Sequence, residues 1–530
     1  MVFSSLFFIF VFMTLCYGLY VCMPTLKARN ALLLVFSLVF YAWGGPPLVL
    51  LLCLETFICF VGAHLIWAQN PTPRHPTLRR GAKKFYMIAT VAMCLGLLAI
   101  FKYMGFFGDT LFGILGLENL IPKVALPIGI SFYTFQLISY VVDVYRDETP
   151  PQRSYAKLLL YTALFHQCIA GPIVRYVDVA KEIDHRRVDL DEIFHGMLRF
   201  TVGLGKKAIL ANTCAQVADT LLAADKLAAG SVSSLGVLVG VSAYMLQIYL
   251  DFSAYSDMAI GMGRMIGFHF KENFNYPYTA DSVTSFWRRW HISLSSFFRD
   301  YVYIPLGGNR CSKWRHILNL LVVWGLTGMW HGASWNFILW GLYFALFLIL
   351  EKYVFKWQRE SQGFARVWRR AYTLTVVWFG WFLFRFDDMS LMGQALKSLF
   401  GFDNWLRMGR ALKSFFEFDN LFRMGQMLKS LFGLIGGFVS DLVSGFVGDG
   451  AHYTLLNFLF ILLVSAVACT PLATYLAGRL TAAATREGGW GRVARVVLNV
   501  AAVLIPVTLL VLSVLSMVGD SYNPFLYFRF

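Results

Sequence analysis

The sequence predicts an all-α integral membrane protein that crosses the bilayer many times. Hydrophobic residues make up 58% of the 530-residue chain and charged residues only 14%, whereas soluble globular proteins contain about 25% charged residues. The chain contains about ten to thirteen apolar runs that approach the roughly 20 residues needed to span a bilayer. A soluble enzyme with a polar shell and a disordered protein are therefore both excluded, and the lipid bilayer is the first expected partner.

The first predicted spans lie near the start of the chain. The apolar run at residues 2–23 is not followed by a small-residue cleavage site, so we expect a retained helix rather than a signal peptide. Three more runs occupy residues 31–43, 48–67 and 85–101. Basic loops follow the runs at residues 2–23 and 48–67, and the first of these loops contains Lys27 and Arg29. The excess of basic residues predicts that both loops face the cytoplasm.

Apolar segments beyond residue 120 are interrupted by glycine and proline. Pro127 and Gly129 divide one such stretch, and Gly171 and Pro172 end another. Broken segments can be re-entrant where protein rather than lipid surrounds them, so we expect re-entrant as well as spanning helices. The remaining predicted spans are residues 235–250, 316–330, 337–350, 371–384, 455–472 and 496–517.

An internal repeat with a period of 16 residues occupies residues 386–433. Its copies begin at Phe386, Phe402 and Phe418. Each copy places Leu and Phe at helical spacing with Lys and Arg on the other side, which is typical of amphipathic helices in the membrane interface. Each Phe-Asp-Asp or Phe-Asp-Asn start offers an N-cap, so three short helices are predicted rather than one long helix. We expect the repeat to be a duplicated surface element without a catalytic role, within a single domain of residues 1–530.

Charge and cysteine content limit the possible ligands. The net charge is +16, which in a membrane protein is typical of cytoplasmic loops rich in Lys and Arg. No long basic stripe is present, so no nucleic-acid partner is predicted. The nine cysteines are scattered without a CxxC pair. Neither a structural zinc site nor a disulfide framework is expected, and we predict no bound metal.

Polar residues in apolar surroundings are concentrated between Gln247 and His331. Such residues are costly in a membrane and therefore mark candidate functional sites. His331 is the strongest single candidate, because it lies between two apolar runs and a neutral imidazole could take the proton from a hydroxyl that attacks an acyl carbonyl. A hydrogen-bonded core histidine is the ordinary alternative, and the residues alone do not separate the two interpretations.

His291 is a weaker candidate by itself, and Arg288 and Arg289 lie close before it. Because arginine pairs well with phosphate oxygens, these arginines could bind a phosphate-bearing donor. The alternative, which the residues alone favour, is a basic cluster at the membrane surface that fixes the topology. Asp251 and Asp257 could pair with these arginines, or they could form structural ion pairs.

Several segments match the motifs of one family of membrane enzymes. They are residues 126–135, 139–146 and 169–175, the DFSAYSDMAIG segment from Asp251, ENFNYPY from Glu272, FWRRWHIS from Phe286 and GMWHGASWN from Gly328. In these segments the chain closely resembles the membrane-bound O-acyltransferase family, and within it the bacterial alginate-type branch. The resemblance extends over residues 1–386, and the 16-residue repeats depart from it.

The resemblance implies a bundle of helices around a funnel that crosses the membrane, in a multi-pass protein of the bacterial cytoplasmic (inner) membrane. It implies that His331 is catalytic and that His291 is the second active-site histidine. Arg288 and Arg289 would then lie near the cytoplasmic mouth for the donor. The implied reaction moves an acetyl group from a cytoplasmic thioester, acetyl-CoA, toward a hydroxyl on the far side, with no bound cofactor. In this branch the acceptor is an exported polysaccharide, and a separate extracytoplasmic acetyltransferase completes the transfer.

Other functions stay open at this point. Within the acyltransferase class they are teichoic-acid D-alanylation and peptidoglycan O-acetylation. Outside that class, a transporter of polymer or lipid precursors would also contain broken segments and intramembrane charges, although no inverted repeat of two halves is visible. The motifs HExxH, GxSxG and GxxxxGK[ST] do not occur, so a zinc protease, a serine hydrolase and a nucleotide-driven pump have no support.

Overall fold

The computed structural model describes residues 1–71, 79–117, 121, 125–168, 171–357, 362–401, 451–486 and 488–519, and all regular secondary structure in these ranges is helical. The helices before residue 230 are α1 (Thr14–Cys22), α2 (Leu26–Ala42), α3 (Pro46–Trp67), α4 (Arg80–Leu98), α5 (Met104–Leu115), α6 (Ile130–Tyr145), α7 (Tyr155–Ala163), α8 (Phe165–Cys168), α9 (Tyr176–Asp184), α10 (Leu190–Gly205), α11 (Asn212–Leu221) and α12 (Ala224–Ala228). Those after it are α13 (Ser234–Met265), α14 (Val283–Arg289), α15 (Ile292–Phe298), α16 (Lys313–His331), α17 (Trp335–Leu350), α18 (Phe364–Arg385), α19 (Met389–Phe400), α20 (Ala451–Ala468), α21 (Leu472–Ala484) and α22 (Gly489–Gly519). Short π-helical segments adjoin several of them, at Phe8–Met13, Ala99–Tyr103, Lys206–Ala211, Arg299–Tyr303 and Glu351–Phe355, and a 3-10 turn covers Pro277–Thr279.

Helices long and apolar enough to cross a membrane are found throughout the described ranges. There are five, namely Pro46–Trp67, Arg80–Leu115, Ser234–Met265, Trp335–Phe355 and Gly489–Val518, and a sixth if Leu456–Ala468 and Leu472–Ala484, bent by 61°, form one broken span. The predicted all-α, multi-pass membrane protein is therefore confirmed. The sequence predicts more spans because it also counts apolar runs whose helices do not meet this length and apolarity. The predicted span at residues 2–23, for example, contains the shorter apolar helix Phe8–Cys22. Helix α6, which follows the break at Gly129, has 16 residues, and nearly all of them are buried by protein. Re-entrant insertion stays a prediction.

Helix α13 runs for 32 residues and is largely buried by its neighbours. The Ser233 hydroxyl caps its first turn by accepting a hydrogen bond from Gly236 N at 3.0 Å. The helix continues far beyond the apolar run at 235–250, through Asp251, whose carboxylate lies 2.9 Å from the Lys207 ammonium. Both side chains are buried. Because each charge compensates the other, the helix carries polar residues into the interior without a break.

Helices α16 and α17 form a tight antiparallel hairpin. A Cβ atom on Gly328 would lie 2.3 Å from the Phe337 carbonyl oxygen, and one on Gly341 would lie 2.2 Å from the Trp324 carbonyl oxygen. Only glycine permits backbones to approach so closely. The chain reverses directly after His331, the last residue of α16, so this hairpin fixes the place of the predicted catalytic histidine.

The first copy of the 16-residue repeat forms a short helix of its own, α19. The Asp388 carboxylate caps it by accepting a hydrogen bond from a backbone amide of the first turn at 2.7 Å, and the helix ends at Phe400. The predicted short, N-capped helix is therefore confirmed for this copy, which packs against α12 and α13. The copies from Phe402 and Phe418 lie outside the described residues. Insertion of the repeat into the membrane interface stays a prediction.

Candidate active site

A cavity of about 970 Å³ extends along one face of α16. The α16 residues that line it recur at helical spacing and therefore share that face. They are His316, Leu320, Val323, Trp324, Thr327 and His331. At about 1.5 Å per residue, the face is about 22 Å long. The facing wall is formed by α14, α15 and adjoining residues, and it includes Arg288 and His291. The cavity thus brings together His331, His291 and Arg288 of the predicted site.

His331 lies in an aromatic cage at one end of the lined face. Its ring is edge-on to those of Trp340 and Phe384, with centroids 4.9 and 5.3 Å away, and the residue is only 8% exposed. Within the described part of the chain, neither ring nitrogen has a hydrogen-bond partner. An imidazole in such surroundings is most stable uncharged. Its lone pair is therefore available to a substrate hydroxyl.

The Trp330 indole is a neighbour of both histidines. Its centroid lies 5.0 Å from that of His331 and 5.8 Å from that of His291. Its Nε1 donates a hydrogen bond to the Ser131 carbonyl oxygen at 3.2 Å, which fixes the orientation of the ring. One rigid indole therefore sets the spacing of the two imidazoles, whose catalytic roles stay predictions.

His291 is held by its backbone and by one ring nitrogen. It precedes α15 with φ 43° and ψ 58°, a left-handed conformation that is uncommon for residues other than glycine and costs about 1–3 kcal/mol. Its Nδ1 lies 3.1 Å from Asn273 Oδ1. Its Nε2 is buried and has no hydrogen-bond partner among the residues that the structure describes. An unpaired nitrogen on a residue that lines the cavity is a candidate contact for substrate.

Two residues that the sequence analysis did not single out hold the end of α16. The Lys102 ammonium donates hydrogen bonds to the Trp330 carbonyl oxygen and, at 3.1 Å, to the Ser131 hydroxyl. The Tyr103 hydroxyl donates to the Met329 carbonyl oxygen at 2.7 Å. Carbonyls in the last turn of a helix lack partners within the helix, so these two side chains complete it. Lys102 is buried and has no carboxylate partner within the described ranges. Its charge beside an apolar run was the signal that could have revealed it.

The structure separates the two predicted donor-binding arginines. Arg288 is exposed and lines the cavity. Arg289 is half-buried and outside the cavity lining, and its Nη1 donates a hydrogen bond to the Thr279 hydroxyl at 3.0 Å. Arg288 is therefore placed to contact a ligand, whereas Arg289 supports the segment that precedes α14.

Asp251 and Asp257 take part in ion pairs between helices. Asp251 pairs with Lys207, as described above, and the Asp257 carboxylate lies 2.9 Å from Arg199 and 2.7 Å from Lys206. The structure thus supports the structural interpretation of these carboxylates, in which they join α13 to the helix beside it.

The cavity lining carries a net positive charge away from His331. The His316 ring, at the far end of the lined face, is bracketed by the Tyr303 hydroxyl at 2.8 Å and the Tyr353 hydroxyl at 2.9 Å. The Glu351 carboxylate accepts hydrogen bonds from Thr284 N at 2.9 Å and from its hydroxyl at 2.7 Å. Four cations and two acids line the cavity, namely Arg288, Arg299, Lys352 and Arg369 with Asp281 and Glu351. This balance favours a negatively charged ligand.

Several known proteins are similar to this chain in amino-acid sequence. The model of the "MBOAT, membrane-bound O-acyltransferase family" matches residues 130–394, which include both histidines and both arginines. A "probable alginate O-acetylase AlgI" of Azotobacter vinelandii is 39% identical over 396 residues, which cover 74% of this chain and 76% of that protein. A "peptidoglycan O-acetyltransferase" of Helicobacter pylori is 31% identical over 440 residues, covering 75% and 80%. A "teichoic acid D-alanyltransferase" of Bacillus subtilis is 28% identical over 274 residues, covering 48% and 68%.

These similarities agree with the fold. The described residues form an all-helical structure with several apolar helices long enough to span a membrane, and the matched region contains the cavity-lining helices α14 to α17. The resemblance seen in the motifs is therefore confirmed. The chain belongs to the membrane-bound O-acyltransferase family and is a multi-pass membrane enzyme that transfers acyl groups to oxygen.

Proposed function

We propose that this protein moves an acetyl group from cytoplasmic acetyl-CoA across the inner membrane of a bacterium for O-acetylation of an exported polysaccharide of the alginate type. One observation carries the proposal: a single cavity joins a lining rich in cations to His331 in its aromatic cage. The cations suit the phosphates of coenzyme A, and the cage suits a reaction that must exclude water. A separate extracytoplasmic acetyltransferase completes the transfer to the polymer.

His331 acts as general base in the proposed step. A ring nitrogen takes the proton of an acceptor hydroxyl while that oxygen attacks the carbonyl carbon of the acetyl thioester. The new C–O bond forms and the C–S bond breaks, which gives an acetyl ester and a thiolate. The imidazolium then gives its proton to the thiolate, so free CoA leaves and the imidazole is regenerated. Because the ring has no hydrogen bond within the described residues, it is free to serve both proton transfers.

The aromatic cage protects the thioester from hydrolysis. A water molecule beside His331 would be activated as readily as an alcohol and would consume the donor without product. Trp340 and Phe384 occupy two sides of the imidazole, and Trp330 packs beside it. Exclusion of water also strengthens the electrostatic interactions that the transition state requires.

The shape of the cavity agrees with a coenzyme A donor. Coenzyme A separates its phosphates from its sulfur by a long, flexible pantetheine arm. The lined face of α16 separates the polar end at His316 from His331 by about 22 Å. The phosphates can thus contact cations of the lining while the thioester lies at His331, and guanidinium groups such as that of Arg288 bind phosphate as planar forks.

The choice of acceptor follows the relatives. The protein named as an alginate O-acetylase is more similar to this chain than the peptidoglycan O-acetyltransferase, and the teichoic acid D-alanyltransferase is less similar than either. An acetyl donor and a polysaccharide acceptor are therefore proposed ahead of a D-alanyl donor or a peptidoglycan acceptor.

The test uses inverted membrane vesicles from the host, whose cytoplasmic face is accessible to added donor. Acetyl-CoA or a D-alanyl thioester is supplied, and free thiol and ester-linked acyl groups on the exported polymer are measured. We expect release of CoA from acetyl-CoA and acetylation of the polysaccharide by the wild type, and neither by His331→Ala protein. Export of polymer without any thioester consumption would support the transporter, and acylation of another polymer would replace the proposed acceptor.

A further inference from the structure

We propose that Asn273 is a positioning residue that holds the proton of His291 on Nδ1 and so keeps His291 Nε2 as a fixed hydrogen-bond acceptor toward substrate. The proposal rests on the acyl transfer proposed above. It assigns a role to an asparagine in the segment between α13 and α14. The substrate group that it implies is an O–H or N–H donor, from the acceptor alcohol or from the amide of the pantetheine arm.

The first step is the orientation of the Asn273 amide. Its Oδ1 lies 3.2 Å from the backbone nitrogen of Ser293 and 2.9 Å from the Ser293 hydroxyl. A backbone N–H can only donate, so the atom that faces it is the amide oxygen. On the other side, Nδ2 donates to the Ser256 hydroxyl at 3.1 Å and to the Gly171 carbonyl oxygen at 3.5 Å. A carbonyl can only accept, so backbone groups on both sides define the orientation.

The second step is the tautomer of His291. The same Asn273 Oδ1 lies 3.1 Å from His291 Nδ1. The Ser293 hydroxyl also lies 3.4 Å from this nitrogen, but its proton is donated to Asn273 Oδ1 at the shorter distance of 2.9 Å. An amide oxygen accepts hydrogen bonds and cannot donate them, so Nδ1 carries the proton. In the neutral imidazole the lone pair is then on Nε2, which becomes an obligate acceptor. Asn273 therefore decides which ring nitrogen can receive a hydrogen bond from a ligand.

The third step is the unsatisfied Nε2. His291 is 1% exposed, and its Nε2 is buried without a partner in the described ranges. A buried acceptor that is left unpaired destabilises the folded protein. The fold also accepts the left-handed backbone at this residue, and it fixes the ring edge-on against Phe252 at 4.7 Å. Two unfavourable features at one residue of a cavity wall indicate that a ligand supplies the missing donor.

The backbone around Asn273 supports the same arrangement. Ile292 N donates to the Asn273 carbonyl oxygen at 2.9 Å, and Asn275 N donates to the Arg289 carbonyl oxygen at 2.9 Å. These bonds join the segment of Asn273 to the residues that precede and follow His291 in the chain. Asn273 itself is fully buried, so its contact with substrate is indirect, through His291.

The experiment compares two replacements of His291, each of which places a polar group near one of the two ring nitrogens. His291→Gln places an amide near the position of Nε2, whereas His291→Asn places an amide near the position of Nδ1 and leaves nothing at Nε2. We expect His291→Gln to retain CoA release within about tenfold of the wild type and His291→Asn to lose about 10- to 100-fold in kcat, because the substrate donor then faces no acceptor. The opposite order would overturn the proposal, because it would show that His291 is needed only for its contact with Asn273.

A second pair of variants tests Asn273 directly. Asn273→Leu keeps the size of the side chain but removes the acceptor, and we expect a loss of kcat similar to that of His291→Asn. Asn319→Leu is the matched control, since Asn319 is also buried and donates to the carbonyls of Leu306 and Gly308, each at 3.2 Å, and contacts neither His291 nor His331 through these bonds. We expect Asn319→Leu to lower the melting temperature with little change in kcat. Equal kcat for both leucine variants after correction for folded protein would refute a positioning role.

The Michaelis constants show which substrate supplies the hydrogen-bond donor to His291 Nε2. If KM for acetyl-CoA rises in His291→Asn protein, Nε2 contacts the donor arm, and if KM for the alcohol rises, it contacts the acceptor. Failure of the wild type to release CoA at all would refute the proposed function instead, so the two failures are distinguishable.

Discussion

His291 and His331 line the same cavity, but different parts of the polypeptide hold them in place. The His291 ring is tied through Nδ1 to Asn273, and its backbone is left-handed. The His331 ring has no hydrogen bond within the described residues, whereas the carbonyls just before it are bound by Lys102 and Tyr103. One imidazole is thus held by a hydrogen bond to its ring, whereas the other is held by the packing of its aromatic cage and by the backbone before it. A base that takes a proton from oxygen and returns it to sulfur benefits from ring nitrogens without a protein partner, whereas a substrate anchor benefits from a ring that a hydrogen bond fixes.

Of the variants considered for the two histidines and their supports, His331→Ala should cause the largest loss of polymer acetylation. We expect His331→Ala protein to insert normally and to lose polymer acetylation, because loss of a general base typically costs about 10²- to 10⁴-fold in rate. The measurement is the O-acetyl content of the polymer in cells that contain only the variant, with its membrane abundance as control. Near-normal acetylation would exclude His331 as the base.

Lys102→Met should show how much activity depends on the position of the His331 backbone while the His331 ring itself is kept. Displacement of a reacting group by about 1 Å can cost about 10²-fold, so we expect a large fall in kcat with little change in KM for acetyl-CoA. Lys102→Gln, which still donates to a carbonyl, should recover part of the activity. Lys83→Met is the control on the same helix, since buried Lys83 pairs with Asp147 at 2.7 Å and should affect stability alone. Equal kcat losses at both lysines would contradict a specific role of Lys102 in holding the end of α16.

The two arginines should differ in their effect on donor use. We expect Arg288→Gln to raise the acetyl-CoA concentration for half-maximal CoA release by up to about fivefold, since an exposed ion pair contributes about 1 kcal/mol at most. Arg289→Gln, which removes the hydrogen bond to Thr279, should mainly lower stability. An unchanged concentration in the double variant with normal turnover would mean that the arginines only fix the topology.

Deletion of one repeat should have the smallest effect. The helix of the first copy ends at Phe400, before the second copy begins at Phe402, and we expect removal of residues 402–417 to preserve activity within about twofold. The measurement is polymer acetylation normalised to protein in the membrane. A well-inserted deletion variant without activity would show that the copies contribute to the site.

Much of the fold could be predicted because apolar runs have clear ends. The run at 48–67 became Pro46–Trp67, which begins at two prolines after two glycines, and the run at 316–330 became Lys313–His331. Helix α13 could not be predicted in full, because Asp251 suggests a loop until its partner Lys207, which is distant in sequence, is known.

The candidate site, like the fold, could be predicted where the signal is local and could not where it depends on distant partners. His331, His291 and Arg288 were identified from motifs and residue chemistry, and the structure places them in one cavity. The roles of Lys102 and Asn273 depend on which carbonyl or ring nitrogen each one meets. Lys102 binds a carbonyl 228 positions away, and no local pattern in the sequence encodes such a contact.

The backbone contact between α16 and α17 affects how mutational scans of this enzyme are interpreted. Gly328 and Gly341 lie at helix crossings, and a Cβ atom at either position would come within 2.3 Å of a carbonyl oxygen. Even alanine must therefore wedge the hairpin apart and displace His331 at its end. Such variants will score as inactive although no reactive group has been removed. In this enzyme, glycines with no chemistry of their own will be indistinguishable from catalytic residues wherever activity is the only measurement.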